Sequence, residues 1–161
     1  QSKDIQYTVG SNSQLPFMDN SIDIMTNVFS PLYPEECARV LKDKGYLIVV
    51  NPNQNHLMEM KKVIYDDIIL KEEDRNELES SLFQKVSSIV LVYQVNFDQE
   101  DLKNILLMTP HYWKSTSIGK DRLYRLDRLN TTIDIKIDVY KSPKAAAGYH
   151  NQGFHTLREY K

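Results

Sequence analysis

The chain has 161 residues, 41% hydrophobic and 26% charged, which is ordinary for one globular domain with a core. No run approaches the ~20 apolar residues of a membrane span, no secretory signal begins the sequence, and the single Cys37 excludes an internal disulfide or a cysteine-rich zinc site within this chain. The formal net charge of −2 weighs against nucleic-acid binding over the whole surface. These properties favour the cytoplasm and leave RNA binding to a local patch.

The N-terminal half alternates strand-like and helix-like segments, which is typical of a parallel α/β sheet. Residues 5–9 predict a short strand that enters a polar loop at 10–14, and residues 22–28 predict a second strand. Pro34 suits the first turn of a helix that stops before Gly45, a candidate C-cap or turn residue. Residues 46–50 form a continuous apolar run, which predicts a fully buried strand.

The second half begins with a predicted helix from His56 to Leu70, because apolar residues recur there at helical spacing. Residues 71–80 are highly charged and predict a solvated loop or helix end. Residues 89–95 predict another strand, and Asp98 is a candidate N-cap for a helix over 99–107.

The last predicted elements are a helix and a strand. Residues 120–129 predict a short amphipathic helix with three leucines inside: Leu123, Leu126 and Leu129. Thr131 to Tyr140 alternates isoleucine and valine with charged residues, which predicts a half-exposed strand that is antiparallel or at a sheet edge. Residues 142–161 differ in composition, and we expect this tail to lie outside the core.

Three short motifs in the first half resemble a large enzyme superfamily. They are Leu15-Pro-Phe-Met-Asp19, Ser21-Ile-Asp23, and Ala38-Arg-Val-Leu-Lys42 with Gly45-Tyr46. The pattern is similar to the second half of the catalytic domain of class I methyltransferases, which use S-adenosyl-L-methionine. Asp43-Lys44 replaces the Pro-Gly that is usual in that turn.

Further motifs narrow the resemblance to one family. They are Asn51-Pro52, His56 to Lys61, Ile64-Tyr65, and Leu107-Met-Thr-Pro110 with Trp113. Together they resemble the bacterial 23S ribosomal RNA guanine-N1 methyltransferases, from about residue 5 to residue 140. The resemblance implies an enzyme with a Rossmann-like α/β sheet, mostly parallel with one antiparallel edge-type strand. It also implies S-adenosyl-L-methionine as cofactor, ribosomal RNA as partner, and a homodimer for the intact enzyme.

The sequence departs from the family in one large respect. The family's N-terminal zinc-binding cysteines are absent, and no Gly-x-Gly occurs among the five glycines. The Gly-rich loop that holds the methionine part of the cofactor is therefore missing. The resemblance then implies that residues 1–141 are a C-terminal part of the methyltransferase domain, from about the third strand onward. We expect such a fragment to bind cofactor poorly and to be inactive alone.

The resemblance also implies a set of cofactor-binding residues. Ser11, Asn12 and Leu15 would border the adenine, whereas Asn27 and Phe29 would border the reacting methyl group, as part of the segment 27–30. His56 corresponds to a histidine at the family's cofactor site. Two plainer interpretations stay open: residues 10–13 are a polar turn, and His56 is a surface residue at a helix start.

A basic and aromatic segment is the candidate RNA-binding surface. Its proposed RNA-binding residues are Trp113, Lys114, Arg122 and Arg125, and five basic residues against two aspartates give residues 114–128 a local charge of +3. Aromatic stacking with basic contacts suits a flipped base and RNA phosphates. The alternative is a solvated helix face with Trp113 packed in the core.

The catalytic residues stay unassigned. Methylation of guanine N1 requires removal of the N1 proton, and a general base must lie within hydrogen-bond reach of it. Asp23, Glu59 and His56 are conceivable bases, although Asp23 also suits a structural role in a turn.

Two other functions compete with the ribosomal RNA enzyme. The first is a class I methyltransferase for a small molecule, because the motifs of the first half are shared widely in that superfamily. The second is a binding module that kept the sheet and lost catalysis.

Overall fold

The computed structural model describes residues 4–68, 78 and 82–142, and these residues are organised around a four-stranded sheet. Its strands are β1 (Ile22–Val28), β2 (Leu41–Pro52), β3 (Gln84–Asp98) and β4 (Arg128–Lys141). They lie in the order β1-β2-β4-β3. β1 pairs with β2 in parallel, whereas β4 runs antiparallel to both of its neighbours, β2 and β3.

The expected mixed α/β class is confirmed, but two details of the predicted sheet are wrong. One hydrogen-bonded pair of the described sheet is parallel and two are antiparallel, so the sheet is not mostly parallel. β4 is antiparallel as predicted, but it lies between β2 and β3 rather than at an edge. The alternation in its sequence indicates an antiparallel strand, but it does not reveal that both of its edges are paired.

The charged face of β4 is buried, in contrast to the predicted half-exposed strand. Asp134 and Asp138 are 2% and 9% exposed. Asp134 accepts hydrogen bonds from Asn53 and Asn55, and Asp138 forms ion pairs with two lysines, Lys85 and Lys136. Buried carboxylates are tolerated where they are paired. The alternation of apolar and charged residues along β4 therefore distinguishes an apolar face from a hydrogen-bonded face, and it does not distinguish a buried face from a solvent-exposed one.

Five helices accompany the described sheet. They are α1 (Pro34–Val40), α2 (Met58–Ile64), α3 (Gln99–Leu107), α4 (His111–Lys114) and α5 (Ser117–Tyr124). The predicted starts of α1 and α3 are confirmed: Pro34 occupies the first turn of α1, and the Asp98 carboxylate accepts from the Asp101 amide at 2.9 Å.

Two predicted helices have other bounds. The helix expected over 56–70 ends at Ile64, and the following residues to Ile68 are not helical. The helix expected over 120–129 is α5, which begins earlier because the Thr116 hydroxyl caps it by accepting from the Gly119 amide at 3.1 Å. Leu129 lies in β4. The charged segment, apart from Leu78, and the tail from residue 143 lie outside the described residues.

Two predicted strands also differ from the structure. Residues 5–9 are not a strand: Ile5, Tyr7 and Val9 are exposed, and no described strand lies beside them. Residues 46–50 belong to β2, but the strand is buried on one face, with Leu47 and Val49 inside and Tyr46 exposed. β1 lies where predicted.

Gly45 lies in β2 and does not cap α1, which ends at Val40. A Cβ atom at Gly45 would lie 2.9 Å from the Lys42 carbonyl oxygen and 3.1 Å from that of Asp23. Glycine therefore permits the close approach of β1 and β2 at this point.

Two hydrophobic clusters pack against the sheet. The first joins β2, β4 and α1, and its buried residues are Cys37, Leu41, Leu47, Val49, Leu78, Phe83 and Tyr140. The second joins α2, α3, α5 and β4, and its buried residues are Leu57, Met60, Ile64, Leu102, Leu106, Leu123 and Ile133. No helix in the described part of the chain is long and apolar enough to cross a membrane.

β3 is the outer strand on its side of the described sheet. Residues 86–97 carry no charge, and five consecutive side chains, from Ile89 to Tyr93, are each at least 42% exposed. Most strands at such an edge carry charges or prolines that discourage pairing with another chain.

The packing of α5 against α2 yields a stability prediction for Gly119→Ala. A Cβ atom at Gly119 would overlap the Ile64 carbonyl oxygen, so the two helices must move apart. We expect a loss of about 1–3 kcal/mol in the free energy of unfolding, measured by urea denaturation. Ser117→Ala, in the exposed first turn of the same helix, is the control, and an unchanged stability of the Gly119 variant would contradict the packing described here.

Candidate functional site

The parallel pairing of β1 and β2 places their carboxyl ends at the same edge of the sheet, where open α/β sheets bind ligands. The loop after β1 carries Phe29, and the turn after β2 carries His56. Their ring centroids lie 5.5 Å apart at an interplanar angle of 56°. Two residues that were predicted separately therefore meet at this edge.

Phe29 has a strained backbone. Its φ of 50° is unusual for a residue other than glycine, and such strain persists where the surroundings hold it. The Phe29 amide donates to the Val50 carbonyl of β2 at 3.0 Å. This hydrogen bond turns the loop over the end of β2 and directs the ring toward His56.

Asn12 and Asn27 join at the loop that follows β1. The side-chain nitrogen Nδ2 of Asn12 donates to the Ser30 hydroxyl at 2.8 Å and to the Pro31 carbonyl at 3.3 Å. The side-chain nitrogen Nδ2 of Asn27 donates to the same Pro31 carbonyl at 3.3 Å. Asn27 Oδ1 is buried and finds no donor among the described residues, so its capacity to accept a hydrogen bond is unused in this structure.

A cleft of about 200 Å³ lies beside these two asparagines. Asn12, Leu15 and Asn27 line it, together with Pro31 and Tyr33 of the loop after β1. Its wall combines apolar surface with amide groups, as is usual for small-molecule sites.

Ser11 lies outside the lining of this cleft, in a tight turn. The Gln14 amide donates to the Ser11 carbonyl at 3.1 Å, and the hydroxyls of Ser11 and Ser13 are 2.8 Å apart. The polar-turn interpretation therefore describes the local geometry of Ser11, whereas Asn12 in the same turn lies against the cleft.

An ion-paired arginine, whose role the sequence motifs do not reveal, shapes the wall of the cleft. Arg39 bonds Glu36 at 2.6 Å and Asp19 at 2.6 Å, and it donates to the carbonyls of Leu15 and Phe17. The Leu15 amide donates to Glu36 at 2.6 Å. The hydrogen bond from Arg39 lowers the pKa of Glu36, against the effect of burial. Arg39 and Asp19 lie within the quoted motifs, and Glu36 lies two residues before one of them.

A second missed network fixes the turn that carries His56. The Asp134 carboxylate of β4 accepts from the Asn53 side chain at 3.1 Å and from the Asn55 amide at 3.0 Å. The Asp134 amide donates to His56 Nδ1 at 3.3 Å, and the Leu57 amide donates to the Thr132 carbonyl at 2.7 Å. His56 thus lies in a turn bound to β4, two residues before α2, rather than in the first turn of a helix.

Glu59 has a structural role in this network. Its carboxylate accepts from the Thr132 amide at 2.7 Å and from the hydroxyls of Thr131 and Thr132 at 3.1 and 3.0 Å. Burial raises its pKa, but these hydrogen bonds outweigh burial and the net pKa is lowered. A carboxylate bonded in this way is poorly suited to take a proton.

Of the other conceivable bases, Asp23 is exposed and ion-paired with Lys42 at 2.8 Å. His56 Nδ1 is an acceptor from β4. The geometry assigns neither residue as a base, and the catalytic group stays unidentified.

The candidate RNA-binding residues lie on and beside α4 and α5. Trp113 is 84% exposed, so the interpretation that places it in the core is wrong. Lys114 and Arg125 are also exposed. Arg122 forms an ion pair with Asp66 at 2.8 Å, which leaves it less available to a phosphate.

The bonding of Glu59 yields a prediction for the pH dependence of stability. Because its folded pKa is lowered, its contribution is present above the unfolded-state pKa and is lost as the pH falls through the folded-state pKa. In Glu59→Gln the side-chain NH2 group would face the donors of Thr131 and Thr132, so we expect the free energy of unfolding at neutral pH to fall by about 1–3 kcal/mol. On acidification the variant should lose less further stability than the wild type, because it has no carboxylate to protonate at this position. Glu100→Gln, exposed on α3, is the control in chemical denaturation at several pH values. Equal acid sensitivity of wild type and the Glu59 variant would contradict the assignment.

Comparison with known proteins returned no matching family model. In sequence, the chain is 29% identical over 140 residues to a provisionally named 23S rRNA (guanine-N(1)-)-methyltransferase of Bacillus subtilis, covering 85% of this chain and 48% of the relative. It is 32% identical over 104 residues to the 23S rRNA (guanine(748)-N(1))-methyltransferase of Streptomyces fradiae, covering 62% of this chain and 36% of that relative. The chain thus spans about half the length, or less, of these curated relatives.

The fold is shared with a provisionally named methyltransferase from Bacillus halodurans C-125. The TM-score is 0.53 at 17% identity, over 89% of this chain and 74% of that structure. The expected Rossmann-like methyltransferase fold is confirmed, and so is the resemblance seen in the sequence: the chain is similar to the 23S rRNA guanine-N1 methyltransferases.

Proposed function

We propose that this chain is part of an S-adenosyl-L-methionine-dependent enzyme that methylates guanine N1 of 23S ribosomal RNA in the cytoplasm. The observation that carries the proposal is the convergence of Asn27, Phe29 and His56 at the carboxyl edge of β1 and β2, in a chain whose curated relatives carry that activity in their names. The same resemblance supports a homodimer for the intact enzyme.

The described residues fit one side of the cofactor. Leu15, Pro31 and Tyr33 offer apolar surface to a purine, and the orphaned Asn27 Oδ1 offers an acceptor to an amino group. In this proposal Asn12 and Leu15 border the adenine, with Ser11 in the adjoining turn, while Asn27, Phe29 and His56 border the methyl-bearing end. S-adenosyl-L-methionine supplies an electrophilic methyl group on a sulfonium.

The rest of the cofactor's methionine part, beyond the methyl-bearing sulfur, needs a further partner. No Gly-x-Gly is present in the sequence, and a Gly-rich backbone turn is how Rossmann-like sheets approach such groups closely. We therefore propose weak cofactor binding by the 161 residues and catalysis only with further residues of a longer protein.

Catalysis would depend on placing guanine N1 in line with the methyl group, because alignment contributes much of the rate in such transfers. The Phe29 and His56 rings would close the site against water. Trp113, Lys114, Arg122 and Arg125 are the proposed RNA contacts, although Arg122 must first leave Asp66.

Cofactor binding is testable by NMR spectroscopy, which detects weak complexes. Adding S-adenosyl-L-methionine to the ¹⁵N-labelled chain should shift the amide signals of Asn12, Asn27 to Ser30, and His56. Asn27→Ala should abolish these shifts because it removes the buried acceptor, whereas Asn104→Ala, exposed on α3, should retain them. No shift at millimolar cofactor would contradict the assigned site and favour a binding module without cofactor.

The substrate is tested by methyl transfer with the longer protein that includes this chain. N1-methylguanine blocks Watson–Crick pairing, so primer extension on treated 23S ribosomal RNA should stop at one guanine. His56→Ala should remove the stop, whereas Asn104→Ala should leave it in place. Cofactor binding without any stop on ribosomal RNA would favour the small-molecule methyltransferase instead.

A further inference from the structure

The tryptophan side chain of α4 is unusually open to solvent. Trp113 is the single tryptophan of the chain, and it is 84% exposed, as is Met108 one turn before α4. Tryptophan is usually largely buried, so an exposed indole five residues after an exposed methionine indicates a surface that meets a partner.

The indole is held from one side. The Tyr112 ring lies 5.0 Å from the Trp113 ring, edge to face at 89°. The Lys120 ammonium of α5 lies 4.1 Å from the centre of the Tyr112 ring, a favourable cation–π distance. These contacts restrain Trp113 through its neighbour and leave much of its own surface open.

A hydrogen bond connects α4 to the helix that follows the His56 turn. Tyr65 at the end of α2 and His111 at the start of α4 are joined by a 2.9 Å bond between the Tyr65 hydroxyl and His111 Nδ1. Their rings also meet edge to face at 5.7 Å. The orientation of Trp113 is therefore fixed relative to α2 and, through it, to the candidate site.

The segment that carries the indole is positively charged. Residues 102–120 contain three lysines and no aspartate or glutamate, although the whole chain has a net charge of −2. Burial lowers the pKa of His111, and the positive charges of Lys61 and Lys114 lower it further. Lys61 and Lys114 thus lie near the α2–α4 junction, and Asp66, the residue after Tyr65, is paired with Arg122. The positive charge of the two lysines suits a polyanion better than an apolar protein surface.

We propose that Trp113 is a stacking platform for one unpaired RNA base, with Lys114 contacting the adjacent phosphate. A base can stack on the indole only where a neighbouring base leaves one of its faces uncovered. Because both faces are covered inside a duplex, the platform selects unpaired RNA over duplex RNA. The choice of RNA as the ligand rests on the proposed function. The stacking role of Trp113 and the supporting roles of Tyr112 and Lys120 come from the geometry.

Because Trp113 is the single tryptophan, its fluorescence reports on this position directly. We expect a short single-stranded RNA to quench the emission saturably, and the duplex of the same sequence to quench it much less. Fluorescence anisotropy of labelled RNA then measures affinity in variants that lack the indole. Trp113→Ala should weaken binding by about tenfold or more, Trp113→Phe should retain part of the affinity, and Ile118→Ala, another exposed apolar side chain nearby, should bind as wild type.

Lys114→Ala should reduce the slope of log affinity against log salt by about 0.7 if it contacts one phosphate of a single strand. Since Trp113 and Lys114 are exposed, these variants should unfold at the wild-type temperature.

Equal RNA affinity of Trp113→Ala and wild type would overturn the platform, as would equal binding of duplex and single strand. Either result would leave the exposed indole as a contact for another protein. The outcome is separable from the proposed methyl transfer, because cofactor-induced shifts at Asn27 and His56 do not require Trp113. If the cofactor still binds but RNA does not stack on Trp113, the stacking proposal is rejected and the proposed methyl transfer is not.

Discussion

A buried carboxylate in the middle of the sheet determines where the candidate site can form. Asp134 is 2% exposed, and burying its charge is costly unless hydrogen bonds compensate for the lost water. Its partners come from the turn at residues 53–55, so the turn must lie against β4. Once the turn is bound there, His56 faces Phe29 and α2 starts two residues later.

Two of the segments that form the site are each held by a carboxylate on a rigid element. Asp134 of β4 holds the turn after β2, and Glu36 of α1, with Arg39, holds the segment at Leu15. Both carboxylates accept hydrogen bonds from backbone amides, which orients the chain more precisely than apolar packing does. This arrangement agrees with a general property of binding loops: they are irregular in backbone but positioned by a stable scaffold.

Local signals predicted the elements that local chemistry determines. The start of α1 follows from Pro34 and the start of α3 from Asp98, because each acts within one helical turn. Asn27, Phe29 and His56 could be placed near one another because parallel strands end at the same edge.

The parts that sequence missed depend on distant partners. The interior position of β4 requires β3, which precedes it by about thirty residues, and residues 5–9 have strand-like composition without a described strand to pair with. The roles of Glu59 and Asp134 are visible only after residues more than 70 positions apart meet. Trp113 shows the converse, since its apolar character favoured the core whereas the short α4 directs it to the surface.

The uncharged outer strand has a consequence for handling the protein. Between Lys85 and Asp98 no charge or proline interrupts β3, and its side chains at Ile89 to Tyr93 face solvent. An accessible strand of this composition can recruit the same strand of another molecule while the chain is still folding, and assembly of that kind grows with concentration. The yield of native protein should therefore fall in concentrated refolding mixtures, and a lysine at Val90 or Val92 would act as a gatekeeper that suppresses the aggregates.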